Sequence, residues 1–227
     1  MIPWNLLDRA PLPNSNEEIS LYQRGDEFAI RVANYELMNS RVHGSEEALA
    51  DLAFAKLGGR SQLRVLIGGL GLGYTLAAAL RWIGARGEAV VAELVPAVVR
   101  WNRGPLAPLA GHPLDDPRVT VVEGDVARVI REDRSRFDAI MLDVDTSPSA
   151  LTHENNRQLY DAAGLRAIHN ALRPRGVLTI WSSTTDPAFT RRLREAAFEV
   201  EEVRARARGE RGRARYVVWV AQRLQSS

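Results

Sequence analysis

The chain has 227 residues, of which 45% are hydrophobic, and a formal net charge of +2 at pH 7. This length and composition suit one large domain, or one domain with a small appendage. Cysteine is absent, which excludes disulfides, thiolate catalysis and cysteine-based zinc sites. No apolar run reaches the roughly 18 residues of a membrane span, and the first residues lack a basic segment followed by an apolar one. We therefore expect a cytoplasmic enzyme without a signal peptide.

Residues 1–44 are predicted to form a small unit of antiparallel β-strands. The segment ISLYQRGDEFAIRVANYELMNSR alternates apolar and polar residues, and Gly25 and Asp26 in its middle are typical of a turn. The next segment, SEEALADLAFAKL, has acids in its first turn and an apolar stripe, which predicts a helix over 45–57 with Ser45 as its N-cap. We therefore divide the chain into this β-unit and a main domain, residues 45–227.

From residue 64 onward, short β-branched runs alternate with helical segments, a pattern that predicts a parallel sheet with helices on both faces. The last two predicted strands have only a short arginine-rich turn between them, which indicates an antiparallel hairpin. The predicted strands are 64–68, 88–94, 118–123, 137–143, 176–182, 198–206 and 215–222, and the predicted helices are 73–84, 95–103, 126–133, 155–172 and 187–197. Five parallel strands followed by a hairpin resemble the Rossmann-like α/β fold of class I S-adenosylmethionine (SAM)-dependent transferases.

The first of these strands runs into a glycine-rich loop, VLIGGLGLGYT. Because glycine has no Cβ, Gly69, Gly71 and Gly73 can form a tight strand-to-helix turn or let a ligand approach the main chain. Glu93 ends the next strand, 20 residues after Gly73. A carboxylate at this place can accept hydrogen bonds from both hydroxyls of a ribose. The spacing therefore favours a nucleoside site, although a tight turn beside a capping Glu93 remains an alternative.

Two further acids lie at equivalent places. Asp125 follows the third predicted strand, and Asp143 ends the fourth. Taken singly, each is equally consistent with a helix cap or a loop acid. Ligands of open α/β sheets bind beyond the carboxyl ends of the strands, so together the acids and the glycine loop are expected to line one site. Acids repel a pyrophosphate but suit adenosine hydroxyls and a positive charge, which predicts an adenosyl sulfonium cofactor.

Five segments carry further motifs: RVLIGGLGLG, VVAELVPAVV, DDPRVTVVEGDV, FDAIMLDVD followed by Pro148, and LYDAAGLRAIHNALRPRGVL. Over residues 20–223 these motifs resemble the polyamine aminopropyltransferase (spermidine synthase) family. The resemblance implies that Glu93, with Leu94 beside it, holds the cofactor ribose. It further implies that Asp125 and Val126 hold the adenine and that Asp143 faces the reacting amine.

The chain departs from this family on the substrate side. The family's glycine loop usually carries an aspartate that holds the aminopropyl amine of decarboxylated SAM, and Gly71 stands at this position. The family's D-S-S-D-P block is DVDTSP at 143–148, its Tyr-His/Gln-Glu triplet is SEE at 45–47, and its glutamine after the fifth strand is replaced around Trp181. Without a carboxylate at position 71, the loop N–H groups are expected to receive the carboxylate of intact SAM. We therefore expect methyl transfer from SAM to a small amine or carboxyl compound.

Transfer from a sulfonium is an in-line displacement, for which the protein mainly supplies alignment and desolvation. An amine nucleophile must lose a proton; Asp143 is the predicted base, and Asp145 is expected to orient the substrate or raise the pKa of Asp143. On the substrate side we place Glu46, His43 and Trp181, the last as a wall of the pocket. Two alternatives remain open: Asp145 is a solvated loop acid, and Trp181 is an ordinary core residue. The four histidines show no metal-ligand spacing, so we expect no metal.

Two other functions remain open. The first is aminopropyl transfer from decarboxylated SAM with a modified substrate site. The second is nucleic-acid binding or modification by the arginine hairpin, residues 204–215, although a charged edge strand explains the same pattern. We expect a small-molecule substrate rather than nucleic acid or a membrane. The resemblance also implies a homodimer paired through sheet edges and the N-terminal unit.

Overall fold

The computed structural model describes residues 2–13, 15–59, 62–144, 158–206 and 214–224. Its first sheet contains the strands β1 Asn5–Pro11, β2 Glu18–Arg24, β3 Glu27–Val32 and β4 Tyr35–Asn39. They lie in the order β1-β2-β3-β4, and each neighbouring pair is antiparallel. The predicted β-unit with its turn at Gly25 and Asp26 is therefore confirmed. Strand β1 was not predicted, because its exposed Leu6 and Leu7 follow one another and break the alternation of apolar and polar residues.

The main sheet is formed by the second part of the chain. Its described strands are β5 Arg64–Gly68, β6 Glu88–Glu93, β7 Val119–Glu123, β8 Phe137–Leu142, β9 Leu172–Ser182, β10 Phe198–Arg206 and β11 Ala214–Arg223. The order is β10-β11-β9-β8-β5-β6-β7. Strands β5 to β9 are parallel to one another, whereas β11 is antiparallel to both β9 and β10. The predicted α/β fold, five parallel strands and a terminal hairpin, is confirmed.

The helices of the described segments follow the strands in the predicted alternation. They are α1 Gly44–Leu57, α2 Tyr74–Leu80, α3 Pro96–Asn102, α4 Val126–Glu132, α5 Ala162–Ala171 and α6 Pro187–Glu195. Two short 3₁₀ turns, Ala107–Ala110 and Pro113–Asp115, separate α3 from β7. Strand β9 begins at Leu172, directly after α5 and earlier than predicted. Within the segments that the structure describes, no helix is long and apolar enough to cross a membrane.

Helix α1 begins differently from the sequence prediction. His43 is the N-cap residue and makes no side-chain capping bond. The predicted cap, Ser45, lies inside the helix and donates its hydroxyl to the side chain of Glu46 at 2.6 Å. The prediction of a serine cap was therefore wrong, because the helix starts at Gly44 and Ser45 lies within its first turn rather than before it. The acids predicted in the first turn, Glu46 and Glu47, are there.

The N-terminal sheet packs onto the main domain. Leu21 and Ile30, on its inner face, belong to the same buried cluster as Leu49 of α1. Asp8 of β1 accepts a hydrogen bond from the indole nitrogen of Trp101 in α3 at 2.7 Å, which together with its bond from the Arg9 N–H lowers its pKa despite desolvation. The two sheets therefore share one core, and the division at residue 44 stays a prediction.

Candidate active site

The chain order of the main sheet places a crevice beside the glycine loop. From β5 the chain proceeds to β6 and β7 on one side and then returns to β8 on the other. In open α/β sheets such a switch point is where ligands bind, beyond the carboxyl ends of the strands. Gly68 at the end of β5 pairs with Leu142 of β8, and the Asp143 N–H donates to the Gly68 carbonyl at 3.0 Å. Asp143 therefore lies directly beside the loop, as predicted.

The loop glycines adopt backbone conformations that favour glycine. The φ angles are +86° at Gly69, +52° at Gly71 and +85° at Gly73. A Cβ on Gly69 would lie 2.6 Å from the main-chain oxygen of Asp143, and one on Gly73 would lie 3.0 Å from the side-chain oxygen of Asn102. Packing within the chain therefore requires glycine at these two positions, whether or not a ligand also approaches the main chain there.

The N–H groups of the loop are largely used within the chain. The Gly69 N–H donates to the Ala92 carbonyl at 2.9 Å, and the Leu70 N–H donates to the Glu93 carboxylate at 2.8 Å. The Gly73 N–H donates to the Leu70 carbonyl at 2.9 Å. The N–H groups of Gly69 and Leu70 are therefore already used within the chain, and the expected contact between the loop and a cofactor carboxylate stays a prediction for the remaining N–H groups of the loop.

Glu93 is buried, with 7% of its surface exposed. Its second oxygen accepts the Val95 N–H at 2.8 Å. Burial raises its pKa, and the main-chain hydrogen bonds oppose that rise. Each carboxylate oxygen can accept two hydrogen bonds, so capacity for a ribose diol remains. Leu94, predicted beside the cofactor, is 37% exposed, which suits a side chain at the rim of a site.

Asp125 and Val126 lie at the start of α4. The Asp125 side chain caps this helix by accepting the Ala127 N–H at 2.8 Å. The Val126 side chain is buried and approaches to 3.0 Å of where a Cβ on Gly68 would be. Val126 therefore lies beside the end of β5, and Asp125 precedes it as the cap of α4. Their role toward an adenine stays a prediction.

Two acids form what we call the carboxylate pair: Glu46 in the first turn of α1 and Asp143 after β8. Burial raises the pKa of Glu46, and a hydrogen bond from Ser45 opposes this rise. Burial, followed by the nearby charge of Glu46, raises the pKa of Asp143 to about 8. Among the described residues no arginine or lysine forms an ion pair with either acid. The pair is therefore an acidic patch without a resident cation in that part of the chain.

A second cluster surrounds His43 at the same end of α1. The imidazole of His43 stacks on the ring of Tyr74, with centroids 4.1 Å apart and planes 15° from parallel. Its Nδ1 lies 3.1 Å from a carboxylate oxygen of Glu47. The Tyr74 hydroxyl donates to the Ser40 carbonyl at 3.3 Å. Sequence reasoning did not assign Glu47 to the site; its position four residues after His43 on a helix was the available signal.

Trp181 lies one residue beyond Ile180, which pairs with Leu142, so it stands at the same sheet edge as Asp143. It is partly buried and packs against Tyr216 with ring centroids 5.0 Å apart. Its indole nitrogen is buried and has no hydrogen-bond partner in the described chain. Asp145, the second predicted catalytic acid, lies outside the described residues.

Met38 of β4 is a site residue that the sequence did not indicate. Its sulfur lies 3.1 Å from where a Cβ on Gly71 would be, so a side chain at position 71 would press on it. This contact depends on how the N-terminal sheet packs on the loop, for which the local sequence carries no signal. The described residues hold no group of three histidines or acids that could bind a metal ion.

Known proteins similar to this chain are named as polyamine aminopropyltransferases or spermidine synthases. Polyamine aminopropyltransferase 1 of Streptomyces coelicolor is 31% identical over 169 residues, which cover 74% of this chain and 29% of the relative. A polyamine aminopropyltransferase of Sulfolobus acidocaldarius is 28% identical over 130 residues, or 56% of this chain and 40% of the relative. The chain thus spans less than half of either relative. No protein-family model matches it.

Solved structures support the fold. A spermidine synthase in complex with the transition-state analogue AdoDATO superposes with a TM-score of 0.74 at 20% identity, over 96% of this chain and 73% of that structure. The spermidine synthase of Thermotoga maritima gives 0.73 at 19% identity, over 96% and 72%.

The sheet topology and the superpositions thus define the Rossmann-like fold of class I SAM-dependent transferases. Within this class, the resemblance to the polyamine aminopropyltransferase (spermidine synthase) family that the sequence motifs indicated is confirmed.

Proposed function

We propose that the chain is a transferase that moves an aminopropyl group from decarboxylated SAM to a small amine. The relatives' names support aminopropyl transfer rather than methyl transfer, which was the first expectation from the sequence. The use of the Gly69 and Leu70 N–H groups within the chain supports the same choice, because it leaves fewer N–H groups for a cofactor carboxylate at the loop.

The observation that carries this proposal is the carboxylate pair beside the glycine loop. Desolvation raises the pKa of both of these partly buried acids, and the negative charge of Glu46 raises the pKa of Asp143 further; a cation bound near them offsets that repulsion. A substrate amine enters as an ammonium ion and supplies this charge. The opposite case, a carboxylate substrate, would add a third negative charge to the patch. The pair therefore selects amines over acids.

Decarboxylated SAM would supply a carbon bonded to a sulfonium, whose sulfur is already a good leaving group. The residues of the chain then have three tasks. The glycine loop and Glu93 hold the nucleoside end. The negative charges of Glu46 and Asp143, both partly buried, hold the reacting amine. Asp143, with its pKa raised to about 8, accepts a proton from the ammonium ion and so frees the nitrogen lone pair that bonds to carbon, because a base near the working pH transfers protons efficiently. The carbon–sulfur bond breaks with its electron pair on sulfur.

Calorimetry with SAM and decarboxylated SAM tests the cofactor. Aminopropyl transfer requires tighter binding of the decarboxylated form and release of methylthioadenosine when an amine such as 1,4-diaminobutane is added. In the Asp143→Asn variant we expect loss of turnover with nearly unchanged cofactor affinity. Unchanged turnover would remove Asp143 from the base role, and binding of neither cofactor would contradict the proposal as a whole.

Methyl transfer from intact SAM is the second candidate function. It is favoured by one observation: position 71 carries no carboxylate, and the sulfur of Met38 closes the space where one would lie. A neutral loop does not repel the carboxylate of SAM, even though it does not bind it through the N–H groups described above. Mass analysis of an amine product separates the candidates, since methyl and aminopropyl groups differ in mass.

Three sequence predictions stay open beside this proposal. Residues 207–213, in the middle of the arginine hairpin, lie outside the described residues, and RNA binding that weakens with salt would support the nucleic-acid function. Pairing into a homodimer is tested by light scattering of the eluting protein. The cytoplasmic location is tested by fractionation of the source cells.

A further inference from the structure

The side chain of Asn102, the last residue of α3, reaches into the glycine loop. Asn102 is 2% exposed, and its Nδ2 donates to the Gly71 carbonyl at 2.8 Å. The same nitrogen donates to the Val98 carbonyl, one turn earlier in α3, at 2.9 Å. Its side-chain oxygen lies 3.0 Å from where a Cβ on Gly73 would be. One buried side chain therefore contacts two of the three loop glycines.

The residues that Asn102 contacts belong to a tight turn with Gly71 and Leu72 at its centre. The Gly73 N–H closes the turn by donating to the Leu70 carbonyl at 2.9 Å. The φ angle is +52° at Gly71 and negative at Leu72, as in a type II′ turn. Rotating the central peptide would give a type I′ turn, which needs a positive φ at Leu72 and is unfavourable for a residue with a Cβ. The bond from Asn102 and the conformation of Leu72 therefore favour the same peptide orientation.

This orientation decides which group the turn offers to a ligand. In a trans peptide the carbonyl and the following N–H point in opposite directions, so the Leu72 N–H points away from Asn102. Leu72 is 4% exposed, and among the described residues no group accepts a hydrogen bond from its N–H. Main-chain N–H groups in buried segments are nearly always paired. The turn therefore holds a donor for which this part of the chain supplies no acceptor.

Helix α3 gives Asn102 a fixed support. Trp101, the preceding residue, donates its indole N–H to Asp8 of the N-terminal sheet at 2.7 Å. The guanidinium of Arg100 lies 3.6 Å from the same carboxylate. Because α3 is held on β1 and the Asn102 amide is held on α3, the loop rests on a group that has little freedom to move.

We propose that Asn102 is a positioning residue of the cofactor site, which holds the Gly71–Leu72 peptide so that its N–H is available to an oxygen of the adenosyl cofactor. The ribose of that cofactor carries such oxygens. Without the amide of Asn102, the turn must be ordered when the cofactor binds, which lowers affinity. Asn102 acts through the loop rather than on the reacting atoms, so the chemical step should not depend on it. This inference rests on the proposed function, which gives the loop a cofactor to bind.

The test compares two variants of Asn102 with the intact chain. Asn102→Leu removes both donors at a similar size, and Asn102→Asp keeps the shape but has a carboxylate that can only accept. The second variant serves where the first does not fold. Thr190→Val is the matched control, because Thr190 is 5% exposed and accepts the Trp219 indole N–H at 2.9 Å between α6 and the terminal hairpin. Each protein is measured by calorimetry with decarboxylated SAM, by urea denaturation, and by methylthioadenosine release with 1,4-diaminobutane.

We expect both Asn102 variants to bind decarboxylated SAM ~10-fold or more weakly, the size of effect that one buried hydrogen bond has on affinity. At saturating cofactor kcat should stay within ~3-fold of the intact chain, so that the loss lies in KM. Thr190→Val should be less stable in urea and should bind the cofactor like the intact chain. In nitrogen NMR of the intact chain, the Leu72 amide should exchange with solvent more slowly once decarboxylated SAM is bound, and Asn102→Leu should lose this protection.

Unchanged affinity in folded Asn102 variants, equal weakening in Thr190→Val, or a Leu72 amide that does not respond to the cofactor would overturn this inference. In those cases turnover by the intact chain would leave the proposed function standing. If the intact chain does not bind decarboxylated SAM, the proposed function fails, and the role of Asn102 fails with it.

Discussion

Replacing Gly69 by alanine tests the close approach on which the active-site geometry depends. Gly69 has φ +86°, and its new Cβ would lie 2.6 Å from the main-chain oxygen of Asp143. The left-handed conformation costs about 1–2 kcal/mol for a residue with a Cβ. Pushing apart two backbone segments in a packed region adds about 1–3 kcal/mol. We therefore expect Gly69→Ala to lower the free energy of unfolding by about 2–5 kcal/mol.

Gly111→Ala is the matched control. Its φ is +74°, and no atom lies within 4 Å of the Cβ that alanine would add. Only the conformational cost applies there, about 1–2 kcal/mol. Urea denaturation measures both variants, and calorimetry with decarboxylated SAM should show weaker binding for Gly69→Ala alone. Equal destabilisation in the two variants would refute the close contact between the loop and Asp143.

Three further predictions follow from the site. The pKa of Asp143 rises from 3.8 to about 8 on folding, so the intact chain should lose stability as pH rises from about 4 to about 8. The Asp143→Asn variant should not show this loss. Equal pH dependence of the two proteins in urea denaturation would contradict the prediction. Gly71→Asp should weaken cofactor binding, because its Cβ would lie 3.1 Å from the Met38 sulfur. In the double variant with Met38→Ala, affinity should recover ~10-fold more for decarboxylated SAM than for SAM, because the new carboxylate attracts an amine and repels a carboxylate. An equal gain for both cofactors would contradict this prediction. Glu93→Gln should lower the free energy of unfolding, measured by urea denaturation, by about 1–3 kcal/mol, because an amide nitrogen cannot accept a hydrogen bond from a main-chain N–H. The control Glu123→Gln, on the exposed edge strand, should have little effect in the same measurement.

The alternation of strands and helices could be predicted because burial leaves a direct mark on the sequence. All six residues of β8 are buried, and a strand covered on both faces reads as a continuous apolar run. Strand β1 left no such mark. It is mostly exposed and is a strand because β2 supplies hydrogen-bond partners along it. The predicted Ser45 cap failed for a related reason, since a capping residue is recognised only when the first helical residue is known.

The positions of the site acids were also predictable, but their partners were not. Glu93, Asp125 and Asp143 stand at strand ends, and the carboxyl ends of parallel strands share one edge of a sheet. That Glu93 would bind the N–H of Leu70 depended on the path of the loop. The sequence therefore predicted that these acids share one edge of the sheet, whereas the partners of the loop N–H groups became known only from the structure.

The sequence by itself determined the fold class and the edge of the sheet where the candidate site lies, because hydrophobic periodicity and strand-end acids are local properties. Only the tertiary structure brought Met38 onto Gly71, Tyr74 under His43 and the charge of Glu46 near Asp143. These contacts join segments far apart in the chain, and packing between the N-terminal sheet, α1 and the glycine loop decides them. The charges and side chains that distinguish one substrate from another therefore become visible only in the folded protein.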